Sequence, residues 1–393
     1  MRKPYDSIGC LRAVFMRELR RMCSRPIYFF CVVVAPLFSL FFFTSLLDEG
    51  LPHRLPVGVV DLDGSAQSRQ VVRTLDAMDQ IEVCRIYKNY ADARDAVQRG
   101  EIYAFLMIPS NFANDLQGFR QPVLTYYVSY TYYVAGSLTY SSLRKLTELV
   151  SGAALRSSLR AKGVGEEQMM AQLQPIVIEA HALRNPSLNY AIYLNNTIVP
   201  GLMMLLISLM TVYAVGSEVK FNTARSWLEK SNHSILLALF SKLLPYTLAF
   251  MVIALFADYY MYCVLQYPCE GGLWPTVILT LFMVLSAQAL GLLFFAAIPV
   301  LRMALSLCSL WGVVSFSICG FSFPQPAMEA PVRALSWLFP LRHYYLIYVS
   351  QTLDGNSPLY SFTNYAALLV FMLLPLLLLV RLKRALIHTD YIP

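Results

Sequence analysis

The stretch from Ile27 to Leu47, IYFFCVVVAPLFSLFFFTSLL, runs for 21 residues without a charge. A helix of about 20 apolar residues crosses the hydrocarbon of a bilayer with every backbone polar group bonded internally. A secretory signal is the competing reading, because the flank before it is basic. Its apolar region, however, exceeds the roughly 7–15 residues of a signal, and no small-x-small cleavage site follows, so a retained span is expected.

Five further stretches have the same character. They run from about Leu194 to Ala214, from about Leu236 through PYTLAFMVIALFADYYMYCVL, from about Trp274 to Ala297, from about Arg302 through LCSLWGVVSFSICGF, and from Tyr365 to Val380. Only PVLR (Pro299 to Arg302) separates the fourth from the fifth. The whole chain of 393 residues agrees: 57% is hydrophobic and 14% charged, against about 25% charged in a soluble domain, and the mean hydropathy is +0.52.

Lys and Arg in short flanks mark the cytoplasmic side. Seven lie in the first 26 residues (Arg2, Lys3, Arg12, Arg17, Arg20, Arg21 and Arg25), and Arg381, Lys383 and Arg384 follow the last span. Both termini are therefore expected in the cytoplasm, together with the segment carrying Lys220, Arg225 and Lys230 and the turn carrying Arg302. The connection QYPCEGG, without Lys or Arg, belongs outside. The formal charge of +7 reads as membrane topology and contact with anionic lipid. No basic patch interleaved with aromatics points to nucleic acid.

Between the first two spans the pattern alternates between strand and helix. LPVGVVDLD (Leu55 to Asp63), IEVCRIY, IYAFLMIP and QPVLTYYVSY read as strands. SAQSRQVVRTLDAM reads as a helix capped by Ser65, YADARDAVQRG as a short helix stopped by Gly100, NFANDLQG as a helical turn, and Tyr133 to Leu173 as long helix. The expected fold is an α-helical polytopic membrane protein of six transmembrane helices with an inserted extracytoplasmic α/β domain. The chain divides into a cytoplasmic amphipathic helix (1–26), a first span (27–47), the α/β domain with its long helices (48–190), a five-helix membrane region (191–381) and a cytoplasmic tail (382–393).

Chemical motifs are scarce. The strand end VVDLDGSAQSR resembles a phosphohydrolase nucleophile motif, but no later strand supplies an acidic pair for Mg²⁺. A calcium loop fails too, lacking the third oxygen ligand and the closing Glu; an Asp-Gly-Ser turn that caps the next helix remains. There is no P-loop, no H-E-x-x-H, no G-x-S-x-G and no C-x-x-C, and the five His are scattered. No metal site and no catalytic residue is expected on this chain. Ionisable or amide side chains inside spans are costly and often functional, which makes Asp258 and Gln288 candidates for a transport pathway; a Tyr partner for Asp258 and an interhelical hydrogen bond for Gln288 are the plainer readings. Lys242, opening the third span, is expected to snorkel to the cytoplasmic surface.

Four stretches in order, VVDLDGSAQSRQVVRTL, NPSLNYAIYLNNTIVPGLMMLLI, GSEVKFNTARSWLEKS and CGFSFPQPAMEAPVRALSWLFPLRHYYLIYVSQTLDG, resemble the ABC-2 type transporter permeases. The likeness runs along essentially the whole chain. One departure is that Asn222 precedes Thr223 where the family signature has Gly-Thr.

The resemblance implies a permease subunit of an exporter in the bacterial cytoplasmic (inner) membrane. It would work as a homodimer or with a paralogous permease and be driven by separate ABC ATPase subunits. ATP and Mg would reside on those partners, with no cofactor on this chain, and a periplasmic adaptor and outer-membrane channel would extend the path. It also implies that SIGCLRAVFMRELRRMCSRP is an interfacial helix with Ile8, Leu11, Val14 and Phe15 on its apolar face and Arg12, Arg17, Arg20 and Arg21 in water.

The loop 215–235 would dock on the ATPase. Phe221, Trp227 and Leu228 would fill its groove, Glu218, Lys220 and Arg225 would orient the contact, and Thr223 of the signature would belong to the same coupling set, so Glu218→Ala should uncouple transport and leave folding intact. Residues 320–362, with Pro324, Pro331, Pro340 and Arg342, would form an external re-entrant hairpin. The substrate would be lipophilic or drug-like. The alternatives are a membrane-anchored sensor with an extracytoplasmic ligand-binding domain, which would need a cytoplasmic output domain, and a membrane enzyme, which would need a polar cluster at one face.

Overall fold

A computed structural model describes residues 7–118, 120–174, 179, 181, 184–186 and 188–388. Arg2, Lys3 and the last five residues of the tail lie outside them. The chain separates into two compact units, one of Met1–Asp48 with Leu183–Pro393 and one of Glu49–Ala182.

In the first unit, α1 (Ser7–Ser24) precedes α2 (Pro26–Leu46). Helix α2 widens to a π turn over Phe30–Val34, just before Pro36, which has no N–H to continue the ladder.

The second unit opens with β1 (Leu55–Asp61), α3 (Ala66–Asp76), β2 (Ile81–Tyr87), α4 (Tyr90–Gln98), β3 (Ala104–Ile108), α5 (Phe112–Gln117) and β4 (Thr125–Val128). The sheet order is β2-β1-β3-β4, with β1 parallel to both neighbours and β4 antiparallel to β3. Because β1 is central, both its faces are covered. Val57 and Val59 pack with Leu75, Leu106 and Leu143 on one side, and Val60 packs with Tyr87, Ala93 and Phe105 on the other. Ser65 caps α3 by accepting from the Ser68 amide. Asp61 accepts from the amides of Asp63 and Gly64 and from the Ser68 hydroxyl. The D-x-D-G-S motif is thus spent on its own turn, and among the described residues no cluster suits a metal. The long helix expected from Tyr133 to Leu173 is two: α6 (Tyr133–Ala161) and α7 (Glu166–Leu173). They part at Gly163, whose φ of 76° ends a helix readily only for glycine.

The first unit resumes with α8 (Tyr190–Lys220), α9 (Ala224–Lys230), α10 (Ile235–Val264), α11 (Leu273–Ala297), α12 (Leu301–Ile318), α13 (Ala330–Ser336), α14 (Pro340–Ile347) and α15 (Pro358–His388). Six described helices, α2, α8, α10, α11, α12 and α15, are long and apolar enough to cross a membrane. The fold is therefore polytopic and α-helical with an inserted α/β domain.

Helices α8 and α11 form the interior pair. Their approach is set by Gly291, where a Cβ would stand 2.4 Å from the Ser208 carbonyl oxygen. The Ser208 hydroxyl lies 2.9 Å from the Ala287 carbonyl. Helix α15 narrows to a 3₁₀ turn over Leu374–Leu378, with Pro375 near its start.

Candidate functional site

The end of α8 is where the charged interruption meets the bundle. Phe221 closes the helix, and Asn222 turns the chain with φ 52°. This left-handed position explains the departure from Gly-Thr: Asn is the residue type after Gly that adopts it most readily. The Thr223 amide then donates to the Glu218 carbonyl at 2.8 Å, and α9 begins. Along α9 the inward residues Ala224, Trp227 and Leu228 follow i, i+3, i+4, and they pack with Val14, Val215, Leu239, Phe295 and Leu382.

Beneath this turn lies a buried ion cluster. Glu18 of α1, Glu218 of α8 and Lys242 of α10 are each 0% exposed. The Lys242 Nζ donates to Glu218 Oε1 at 2.7 Å and lies 3.0 Å from Glu18 Oε2. Arg17 donates to Glu18 at 2.7 Å, and both Arg17 and Arg21 reach Glu218. The Thr223 hydroxyl donates to Glu218 Oε2 at 2.5 Å, and the Tyr246 hydroxyl to Glu18 at 3.3 Å. The Lys242 ammonium stands 5.0 Å from the centre of the Trp227 ring, a cation–π approach.

Burial works against the Arg21 cation, but the Glu218 and Glu18 carboxylates outweigh it and hold its pKa above the ordinary arginine value. Three cations against two carboxylates leave a net single positive charge. Each charge has partners within hydrogen-bond reach, as ions removed from water require. Four elements, α1, α8, α9 and α10, are joined at this one point.

Several expectations are corrected here. Lys242 does not snorkel, because two carboxylates hold it inside the bundle. Arg17 and Arg21 are not fully wet; their side chains, 16% and 18% exposed, turn inward to the same carboxylates. Trp227 and Leu228 do not present a docking surface, at 0% and 2% exposed, since the apolar face of α9 packs on its own bundle. Glu218 is a member of the buried cluster, so its removal takes from Lys242 its shortest carboxylate contact and is expected to weaken folding as well as coupling.

Phe221 and Arg225 remain on the surface, Phe221 45% exposed with the Arg25 guanidinium 4.7 Å over its ring. Lys220 is exposed beside it, its Nζ 5.8 Å from that ring. The structure thus brings Glu218, Thr223 and Trp227 together around Lys242 and leaves Lys220, Phe221 and Arg225 facing outward.

The remaining candidates lie apart. Asp258 accepts from the Thr280 hydroxyl at 2.5 Å rather than from a tyrosine. Gln288 accepts from the Thr247 hydroxyl at 2.8 Å, an interhelical bond. In the hairpin, Pro324 precedes the 3₁₀ turn Gln325–Ala327, while Pro331 and Pro340 stand in the first turns of α13 and α14. Buried Arg342 donates to Gln325 at 3.0 Å and lies 4.5 Å over the Trp337 ring. The His343 Nε2 lies 3.1 Å from the Trp337 carbonyl, and its Nδ1 lies 3.2 Å from the Arg342 guanidinium and 3.0 Å from the Asn364 side-chain oxygen. Burial keeps this imidazole below the usual histidine pKa. Arg342 and His343 thus act as struts of the hairpin.

Sequence reasoning missed Glu18 and Tyr246. A signal for Glu18 exists: it is the single carboxylate in SIGCLRAVFMRELRRMCS, and it falls four residues after Val14 and eight after Cys10, all three buried. The place of Lys242 opposite it had no local signal.

Residues 26–381 match the family model described as "ABC-2 family transporter protein". The chain is also similar to "Probable multidrug ABC transporter permease YbhS" of Escherichia coli (strain K12), 23% identical over 388 residues that cover 93% of this chain and 94% of the relative. The protein of the same name from Escherichia coli O157:H7 matches equally.

Proposed function

This chain belongs to the ABC-2 family of transporter proteins, and from that premise we propose that it is the permease subunit of an ABC exporter. It moves lipophilic or drug-like molecules out of the cytoplasm or the inner membrane, as a homodimer or with a paralogous permease. ATP and Mg are bound by separate ATPase subunits. Its orientation follows the distribution of Lys and Arg: α1, α9 and the end of α15 face the cytoplasm, and the α/β unit lies outside. A periplasmic adaptor and an outer-membrane channel receive the cargo.

The observation that carries this reading is the buried cluster under α9. An ATPase that pushes on the exposed Phe221–Arg225 turn pushes on a helix whose other face, Trp227 and Leu228, is part of the bundle core. Through Glu218 and Lys242 the displacement passes to α1, α8 and α10 together, so the turn and three helices shift as a unit and not as a free loop. A motor's two states can then bias two packings of the bundle. The multidrug description of the relative supports the cargo class.

The test is affinity purification of the full chain from its native membrane in mild detergent. An ATPase subunit should co-purify with ATP turnover, and Arg225→Glu, on the exposed side of the turn, should lose that subunit while eluting as a folded permease. Purified material with no ATPase subunit and no turnover would sink the proposal.

A further inference from the structure

Arg342, in the first turn of α14, is a cation drawn almost wholly out of water at 6% exposed, and among the described residues no Asp or Glu pairs with it. Its neighbours are neutral. Nε donates to Gln325 at 3.0 Å, Nη1 lies 3.2 Å from His343 Nδ1, and the guanidinium stands 4.5 Å over the Trp337 ring. The remaining nitrogen, Nη2, has no partner among the described residues, and protein does not enclose it. Burial lowers the pKa of this guanidinium from the ordinary arginine value, with no carboxylate to oppose it. Under α9 the same kind of side chain, in Arg17 and Arg21, meets two carboxylates. A charge taken out of water is costly unless a counter-charge meets it, and a guanidinium with an open terminal nitrogen is the group that takes an anionic oxygen, that of phosphate above all.

Depth and surroundings identify the anion. His343, next to Arg342, lies 3.0 Å from the side-chain oxygen of Asn364 on α15. Asn364 is 17 residues from Arg381, about 26 Å along the helix. Arg381 donates to the Ala297 carbonyl where α11 ends, at one face of a hydrocarbon layer about 30 Å thick. Arg342 therefore stands at the other face, at the level of lipid phosphates. Beside it the hairpin surface is apolar, with Trp337 44% and Leu338 50% exposed, as suits contact with the upper part of acyl chains. A soluble anion gains nothing from these two side chains, whereas a phospholipid uses them together with the cation.

We infer that Arg342 binds the phosphate of a phospholipid in the leaflet on the hairpin's side. Nη2 donates to a phosphate oxygen, and Trp337 and Leu338 lie against the glycerol and the upper chains. Through Gln325 and His343 the phosphate is linked to both arms of the hairpin, so the lipid fastens the hairpin to the leaflet. In the orientation proposed above this is the outer leaflet; the contact itself follows from depth and does not rest on that orientation.

The experiment is photolabelling of the full chain, stripped of lipid in maltoside detergent, with two probes that share their acyl chains and a diazirine close to the glycerol: a phosphatidylglycerol and the corresponding diacylglycerol. Labelled residues are mapped by mass spectrometry. The phosphatidylglycerol should label Trp337 and Leu338 about tenfold more than the diacylglycerol, the ratio expected of one hydrogen bond to a charged group. Inorganic phosphate in large excess should not displace it, and Arg342→Gln should bring the ratio to about one. Equal labelling by the two probes or a phosphatidylglycerol preference that survives in Arg342→Gln overturns the site. Displacement by inorganic phosphate overturns it too, since the cation would then serve a soluble anion. The comparison of probes and the displacement are read on the unaltered chain and decide the matter even where Arg342→Gln fails to fold. Each outcome leaves the exporter reading standing on its ATPase co-purification.

Discussion

Glu218 and Lys242 show how one pair of side chains can carry more structure than the segment that contains them. Both are 0% exposed and 2.7 Å apart, and removing either shifts the charge balance of the cluster, leaving Lys242 to Glu18 or Glu218 to Arg17 and Arg21. We expect Lys242→Met, which leaves Arg17 and Arg21 matched to Glu18 and Glu218, to cost less than Glu218→Gln, which leaves three cations against Glu18 and should destabilise the folded chain by about 3–5 kcal/mol, the usual cost of breaking a buried pair from one side. The double variant Glu218→Met with Lys242→Met should recover most of that loss, because no charge of the pair is then stranded. Thermal unfolding in detergent, followed by size exclusion, reads both. A double variant no more stable than the singles would mean that the cluster's other members, not the pair, hold the site. Asn222 is the complementary case at this scale: its φ of 52° is a left-handed conformation that Asn tolerates better than most residues other than glycine, and it lets the chain turn into α9.

At the scale of elements, the bundle depends on how closely α8 and α11 run. A methyl group added at Gly291 would meet the Ser208 carbonyl at 2.4 Å and its carbonyl carbon at 3.1 Å. Backbone atoms cannot rotate away as a side chain does, so the helices must separate. Gly291→Ala should therefore cost about 1–3 kcal/mol as overpacking. A melting curve of the detergent-solubilised variant measures it, and an unchanged midpoint would show that the two helices have slack at this crossing. Helix α9 was legible in the sequence as a short helix, but which of its faces looks inward was not. The spacing of Trp227 and Leu228 marks an apolar face equally well for a partner's groove or for the chain's own bundle, and only the packing of Val14, Phe295 and Leu382 against it chooses the second. Sequence reasoning also reads Tyr133 to Leu173 as helical throughout, although its leucine spacing ends at Leu159, and Gly163 parts α6 from α7.

For the whole molecule, the two units obey different solvents. The α/β unit buries its own core around β1, whereas the spans present large apolar side chains such as Phe38, Val252 and Leu377 outward, at 65%, 68% and 79% exposed, as only a bilayer tolerates. The proposed orientation places the exposed thiols of Cys84 in β2 and Cys23 in α1 on opposite sides of the membrane. A membrane-impermeant maleimide applied to spheroplasts should label a variant retaining only Cys84 and spare one retaining only Cys23, with both labelled after lysis. The reverse pattern would invert the topology and remove the turn before α9 from the side where an ATPase could reach it.

The amino-acid sequence by itself determined that the chain crosses a membrane six times, that an α/β domain interrupts the first two crossings, and that a charged turn follows the second. These are consequences of local quantities, namely the length of apolar runs, their period, and the residues that cap or break them. Tertiary structure alone decided that Lys242 turns inward, that Glu18 meets it from more than two hundred residues away in the chain, and that Gln288 of α11 meets Thr247 of α10. Each is a meeting of side chains from separate helices, and a buried charge or amide is stable only where such a partner stands. No window of sequence contains both members of the pair.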